Sequence, residues 1–201
     1  MRLVYLAAAA ALVLAAPAHA QQGASKDPAA APAGTYAIDG RHVGVVARVL
    51  HGGGFSYSIF RFDRVGGTVQ WDPANIERSS VTVKVDPKSI TSNVPGFADE
   101  LAGEKFLNSA KWPEATFVSK SVRRTGPTTG EITGDLTLMG VTKPMVVNAE
   151  LVGAGQGMRA PTVGFHGVAK LNRNDFGLTQ MAGAIGAEIE LVIDFEANKT
   201  P

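Results

Sequence analysis

The sequence predicts an all-β fold whose short, half-buried strands form an antiparallel sheet, closed as a barrel or folded as a sandwich. Apolar and polar residues alternate with a period of two along almost the whole chain from Tyr36 onward, which is typical of strands with one dry and one wet face. Glycine and proline clusters separate the alternating runs. Only one stretch has a convincingly helical pattern.

The strand runs follow one another at short intervals. The clearest is the last, in which Ile189, Leu191, Ile193 and Phe195 alternate with acidic residues. Side chains that share a parity in such a run are expected to face inward together. The apolar members of the earlier runs are Val45, Ala47 and Val49; Phe60 and Phe62; Val69 and Trp71; Val81, Val83 and Val85; Ile132, Leu136 and Leu138; Met145 and Val147; and Val163 and Phe165.

Turn and helix signals lie between these runs. The three glycines Gly52–Gly54 are typical of a loop. The segment Val141–Pro144 predicts a hairpin connection with Lys143 at its exposed tip. Phe97 to Phe106 predicts a short helix, and a second short turn is expected over Asn172–Leu178.

Composition excludes several function classes. The chain has 201 residues, with 19 Lys and Arg against 18 Asp and Glu, and no Cys. This length suits one domain, and the charge balance argues against the basic footprint of a nucleic-acid-binding protein. Without cysteine there are no disulfides, no cysteine-based zinc sites and no thiol nucleophile.

The first residues predict a secretory signal peptide. Arg2 supplies a positive start, and the 14 residues Leu3–Ala16 form an apolar run that is followed by a small-residue cleavage pattern ending at Ala20. The run is shorter than the roughly 20 residues of a membrane-spanning helix, so stable membrane insertion is not expected. Residues 1–20 are thus expected to be removed, which predicts a periplasmic or secreted protein, and residues 21–34 are expected to form a flexible leader.

Signals for catalysis and metal binding are weak. His42, His51 and His166 remain after the expected cleavage, and none lies at the spacing of a metal motif. A three-histidine site is open in principle, although solvated strand histidines are commoner. No Gly-x-Ser-x-Gly nucleophile motif occurs. Arg173 and Asp175 predict a local ion pair or turn lock rather than a ligand contact.

The inward apolar face has two interpretations that the residues alone leave open. It can be an ordinary packed core, or the wall of a barrel whose interior is not completely filled. Eight-stranded barrels can enclose one small ligand, and burial of an apolar chain there contributes about 0.8 kcal/mol per methylene.

Four ordered sequence blocks carry a resemblance to a known family. They lie at residues 36–51, 99–119, 134–144 and 171–178, and the densest of them reads GDLTLMGVTKP from Gly134 to Pro144. On these blocks the chain resembles the YceI-like family of exported lipid- or polyisoprenoid-binding proteins, over about residues 35–198.

The resemblance implies an eight-stranded antiparallel, lipocalin-like barrel with one or two short helices and an elongated apolar pocket. It implies no enzyme chemistry and no cofactor or metal, only a bound lipid or isoprenoid. His42 and His51 are the polar candidates for the pocket mouth. Combined with strand parity, the apolar pocket candidates are Val45, Ala47, Val49, Phe60, Phe62, Trp71, Val83, Phe117, Leu136, Leu138, Phe165 and Leu191.

Three functions therefore compete. The leading hypothesis is an exported, non-enzymatic protein that holds a polyisoprenoid, an isoprenoid quinone or a fatty-acid-like lipid for transport, storage or sequestration. The alternative is a structural or protein-interaction barrel of the cell envelope with a filled core. A third is an enzyme acting on a bound lipid with His42 or His51 as general base. A homodimer formed through a strand edge stays open.

Overall fold

Ten strands and one α-helix organise residues 23–201, the part of the chain that the computed structural model describes. The expected signal peptide, residues 1–20, lies outside the described residues. The helix α1 is Phe97–Ala102. The strands are β1 (Gly34–His51), β2 (Ser56–Phe62), β3 (Val65–Trp71), β4 (Ser80–Val85), β5 (Ile90–Thr91), β6 (Ala115–Arg124), β7 (Thr129–Leu138), β8 (Val141–Gln156), β9 (Pro161–Asn172) and β10 (Ile185–Lys199).

The sheet closes on itself through its first and last strands. β1 pairs antiparallel with β10 from Tyr36 opposite Lys199 to His51 opposite Ile185. On its other edge, β1 pairs with β3 and then with β2. β3 pairs in turn with β4, and β2 pairs with β5. β2 and β3 together occupy one position in the ring beside β1, and β4 and β5 together occupy the next. The predicted eight-stranded antiparallel barrel is thus confirmed, and the sandwich is excluded.

The side chains of β1 follow the predicted alternation. Val43, Val45, Ala47 and Val49 are each at most 8% exposed, whereas the residues between them are half-buried or exposed. The inward row of this strand therefore faces the barrel interior, as a period of two requires.

The hairpin between β7 and β8 differs from the prediction. Met139 and Gly140 form the turn, and both have positive φ, at 52° and 75°, the geometry of a tight two-residue hairpin turn. The segment Val141–Pro144 belongs to β8, where Lys143 pairs with Leu136. The expected tip position of Lys143 is therefore wrong, because the sharp turn is complete before the chain reaches it.

The predicted helix is present but shorter than expected. It begins after Gly96, whose φ is 77°, and carries Asp99 and Glu100 in its first turn, where carboxylates are favoured by the helix dipole. It ends before Gly103. The second predicted turn is a short 3₁₀ helix at Arg173–Phe176.

Part of the expected leader is packed against the barrel. Ser25 and Ala154 exchange two backbone hydrogen bonds of 2.9 and 2.8 Å, and Ala31 is fully buried in the core. A 3₁₀ turn at Pro28–Ala30 lies between these contacts. This differs from the flexible leader expected for residues 21–34. The reason is tertiary, because small residues with no pattern of their own fit a groove that the strands create.

The two ends of the barrel are covered by different segments. We call the end that contains His51, α1 and the turn Arg173–Phe176 the helical end. The opposite end, which contains Trp71 and the turn Pro28–Ala30, is called the leader end.

Candidate functional site

A large cavity lies at the helical end of the barrel. Its volume is about 720 Å³, far beyond the voids left by ordinary packing and within the range of ligand pockets. Strand residues form its inner wall, and the segments before and around α1 and after β9 cover it. Its lining residues are Ala47, Val49, His51, Tyr57, Ser58, Ile59, Phe60, Phe62, Ile90, Ser92, Asn93, Val94, Phe97, Leu101, Phe106, Leu107, Arg173, Leu178, Gln180, Met181, Ile185 and Ile189.

The wall of the large cavity reaches the protein surface. Tyr57, Ile59, Val94 and Met181 line it and are 50%, 56%, 53% and 46% exposed. β5 pairs only with Arg61 and Phe62, the last two residues of β2. The rest of this edge of β2 is therefore not covered by a neighbouring strand. These four half-exposed residues therefore mark the mouth through which a ligand can enter.

A small cavity lies at the leader end. Its volume is about 120 Å³, close to that of engineered core cavities that admit a benzene molecule. Four predicted pocket residues, Trp71, Val83, Phe117 and Phe165, line it. The rings of Trp71 and Phe165 lie edge to face, with centroids 5.6 Å apart, and Pro28 of the leader covers this side. The ring-sized volume limits this cavity to a small group.

The two cavities have no lining residue in common. Three predicted pocket residues, Val45, Leu136 and Leu191, line neither and pack in or against the main core. On β10, Leu191 lies between Ile189, which lines the large cavity, and Ile193, which lines the small one. We call Val45, Leu136 and Leu191 the constriction.

The pairing of the strands places Val45 and Leu136 at the same level along the barrel as Leu191. Val45 pairs with Ile193 of the small cavity and with Phe62 of the large one. Leu136 pairs with Phe117 of the small cavity. Where the sequence predicts a single elongated pocket, the structure has two cavities, and branched aliphatic side chains from three strands lie between them.

Of the five remaining predicted pocket residues, four line the large cavity and one does not. Ala47, Val49, Phe60 and Phe62 line the large cavity. Leu138 lines neither cavity and packs against a second buried apolar cluster at the helical end.

His42 is not at a pocket mouth, so its expected position is wrong. Val43 is buried, and the alternation of β1 therefore turns His42 outward. Its Nδ1 lies 3.2 Å from Asp39 and 4.0 Å from Glu196. Side-chain and backbone hydrogen bonds from Arg41 hold the pKa of Asp39 well below its ordinary value. This carboxylate therefore stays ionised and contacts the side chains of both Arg41 and His42.

His51 lines the large cavity, as expected for a polar residue near the mouth. It lies nine positions after His42 on the same strand, which corresponds to about 30 Å, so the two rings do not act together. His166 is among the residues that line the small cavity, and its Nδ1 lies 2.8 Å from Asp194. Within residues 23–201, no group of three His, Cys, Asp or Glu side chains is arranged to hold a metal ion.

The sequence interpretation missed the wall residues that lie outside the strands. Phe97, at the start of α1, packs against Phe60 with ring centroids 6.0 Å apart. Arg173 and Gln180 lie on segments that follow β9 and also line the large cavity. Their only sequence signals were the helical pattern of α1 and an arginine beside a turn.

The described residues contain no helix that is both long and apolar enough to cross a membrane.

Comparisons with known proteins agree on one family. The model of the YceI-like domain matches residues 36–197. A UPF0312 protein of Vibrio cholerae serotype O1 is 40% identical over 173 residues, which cover 83% of this chain and 89% of the relative.

Solved structures share the fold. Burkholderia cenocepacia BcnA superposes with a TM-score of 0.72 at 22% identity, covering 80% of this chain and 99% of BcnA. A polyisoprenoid-binding domain from Saccharophagus degradans has a TM-score of 0.63 at 12% identity, covering 82% of this chain and 98% of that domain.

Proposed function

Because this chain belongs to the family of YceI-like domains, we propose that it is a non-enzymatic binding protein for a long-chain apolar ligand. The ligand is a polyisoprenoid, an isoprenoid quinone or a fatty-acid-like lipid, held for transport, storage or sequestration. The structural neighbour that binds polyisoprenoids supports a ligand of this kind.

The large cavity is the observation that carries this proposal. Its 720 Å³ are bounded mainly by apolar side chains and open at a half-exposed mouth. Each methylene buried there contributes about 0.8 kcal/mol. A chain of about ten methylenes thus gains roughly 8 kcal/mol before ordering costs, which is near micromolar affinity without any catalytic group.

The wall chemistry favours binding over catalysis. The large cavity is lined by one histidine, His51, and by no Asp or Glu. General acid–base catalysis usually needs two groups whose pKa values are set apart, and this wall offers no carboxylate as a partner for His51. The open volume also disfavours the filled-core alternative.

Mass spectrometry of the intact protein under native conditions tests the proposal directly. Protein purified without detergent should carry an apolar molecule that organic extraction removes. The stripped protein should then bind polyprenyl compounds or long-chain lipids. Recovery of no apolar ligand, together with no binding of either class, would overturn the proposal.

A cavity-filling variant separates a carrier from a filled barrel. Ala47→Phe should lower ligand affinity at least about tenfold, because the ring occupies the volume of two or more methylenes. It should leave the free energy of unfolding within about 1 kcal/mol, since the ring enters open space. Leu50→Phe is the matched control, because Leu50 has the opposite parity on β1 and is 41% exposed. A large loss of stability in Ala47→Phe with unchanged binding would support the filled core instead.

We also propose that the protein acts after export, in the periplasm or outside the cell. The support is the charge and hydrophobicity pattern of residues 1–20. N-terminal sequencing of the protein from a periplasmic or secreted fraction should begin near Gln21. A mature chain that retains Arg2 and fractionates with the cytoplasm would contradict this proposal.

A further inference from the structure

One wall of the large cavity contains a buried arginine. Arg173 is 6% exposed, and its guanidinium donates four hydrogen bonds to backbone carbonyl oxygens. Nε donates to Gly186 at 2.8 Å, Nη1 donates to Gln180 at 2.8 Å and to Leu178, and Nη2 donates to Ile185 at 3.2 Å. These bonds hold the segment between β9 and β10 over the cavity, so part of the predicted turn lock is present.

The predicted ion pair with Asp175 is not present. Among the described residues, no carboxylate lies within 4.0 Å of the Arg173 guanidinium, and Asp175 is exposed to solvent. Carbonyl dipoles partly stabilise the charge but do not neutralise it. A buried ion without a counter-ion costs several kcal/mol, so an anion in contact with this group would be strongly favoured.

Arg173 also has unused hydrogen-bonding capacity. A guanidinium has five N–H groups, and the four bonds to carbonyls leave one N–H on Nη2. Gln180 also lines the cavity, and its side-chain Oε1 is buried without a hydrogen-bond partner. Rotation of this amide exchanges Oε1 for Nε2, which then offers N–H groups to an oxygen ligand. Two residues that line the same mainly apolar cavity thus each have a polar group without a partner.

We propose that the large cavity binds a single-chain amphiphile with an anionic oxygen head group, a carboxylate or a phosphate. The head group contacts Arg173 and Gln180 near the helical end, and the apolar tail runs inward to the constriction. This inference rests on the proposed lipid-binding function and narrows its ligand class, because polyisoprenoid alcohols, quinones and neutral lipids have no such charge.

Matched ligands of one chain length test this proposal. Delipidated protein is titrated calorimetrically at pH 8 with dodecanoate, dodecyl phosphate and dodecanol, and with inorganic phosphate alone. The two anionic amphiphiles should bind at least about tenfold tighter than dodecanol, because charge-assisted hydrogen bonds are stronger than neutral ones. The relative affinity of the two anions identifies the head group. Inorganic phosphate should not bind measurably without the tail.

Variants distinguish recognition of the head group from a purely structural role. Arg173→Met should abolish the preference for anions while leaving the affinity for dodecanol within about threefold. Arg173→Lys keeps the charge and should keep most of the preference. Gln180→Leu leaves the carbonyl contacts of Arg173 intact and should reduce the preference, so it gives a result even if Arg173→Met does not fold. Arg61→Met removes an arginine that pairs with Asp63 on the surface and should change nothing.

Each outcome has a defined meaning. Equal affinities of wild-type protein for dodecanol and the two anions would overturn this inference but leave the lipid-binding function intact. Binding of none of the amphiphiles would count against both. Tight binding of inorganic phosphate alone would mean an anion site without a role for the tail, which also overturns the inference.

Discussion

Gly67→Ala is expected to lower the free energy of unfolding by about 3–5 kcal/mol. Gly67 has a φ of +144°, and a Cβ there would lie 2.0 Å from the backbone carbonyl oxygen of Thr82 on β4. The strained dihedral angle and the steric overlap each cost about 1–3 kcal/mol. β3 cannot move away freely, because it pairs with β1 on one side and with β4 on the other.

The neighbouring glycine provides a matched control. Gly66 has no positive φ, and a Cβ there would meet nothing within 4 Å. Gly66→Ala should therefore change the free energy of unfolding by less than about 1 kcal/mol. Denaturant unfolding followed by tryptophan fluorescence measures both variants. Equal stability of the two would show that the contact between β3 and β4 is not rigid.

Leu191→Ala is expected to destabilise the protein by about 2–4 kcal/mol and to lengthen its binding site. The loss of stability follows from removing a large aliphatic side chain that packs against the core. Leu191 belongs to the constriction, so its truncation connects the large cavity with the small one. A ligand tail can then extend toward Trp71 and Phe165.

Chain-length preference measures this opening. In wild-type protein, affinity should stop rising once the tail reaches the constriction. In Leu191→Ala, each further methylene should continue to raise the affinity by up to about fourfold. Val192→Ala is the control, because Val192 lies on the opposite face of β10 by parity, between Val46 and Val168. An unchanged chain-length limit in Leu191→Ala would mean that the constriction does not set the end of the site.

Strand positions and their inward faces could be predicted because they depend on local alternation. The parity of Ala47, Val49, Trp71 and Phe165 was readable, and all four line a cavity. The closure of the sheet was expected from the family resemblance rather than from periodicity, which left a barrel and a sandwich equally open.

Positions near turns were less predictable. His42 was expected at the pocket mouth from the family resemblance, but it lies next to buried Val43, so the alternation of β1 turns it outward. Lys143 was expected at a hairpin tip, but the positive φ angles of Met139 and Gly140 place the turn earlier. The error at Lys143 arises where the backbone departs from regular strand geometry, because periodicity carries no information there.

The sequence by itself determined the class of fold, the inward face of each strand and the apolar character of the interior, because these follow from neighbouring residues in the chain. Only the tertiary structure decided where the interior is empty. Val45 and Ala47 have the same parity on one strand, yet Val45 belongs to the constriction and Ala47 lines the large cavity. The difference depends on the side chains that share the interior with them, which come from other segments of the chain: Leu136 and Leu191 in the constriction, and Phe97 and Leu178 in the large cavity.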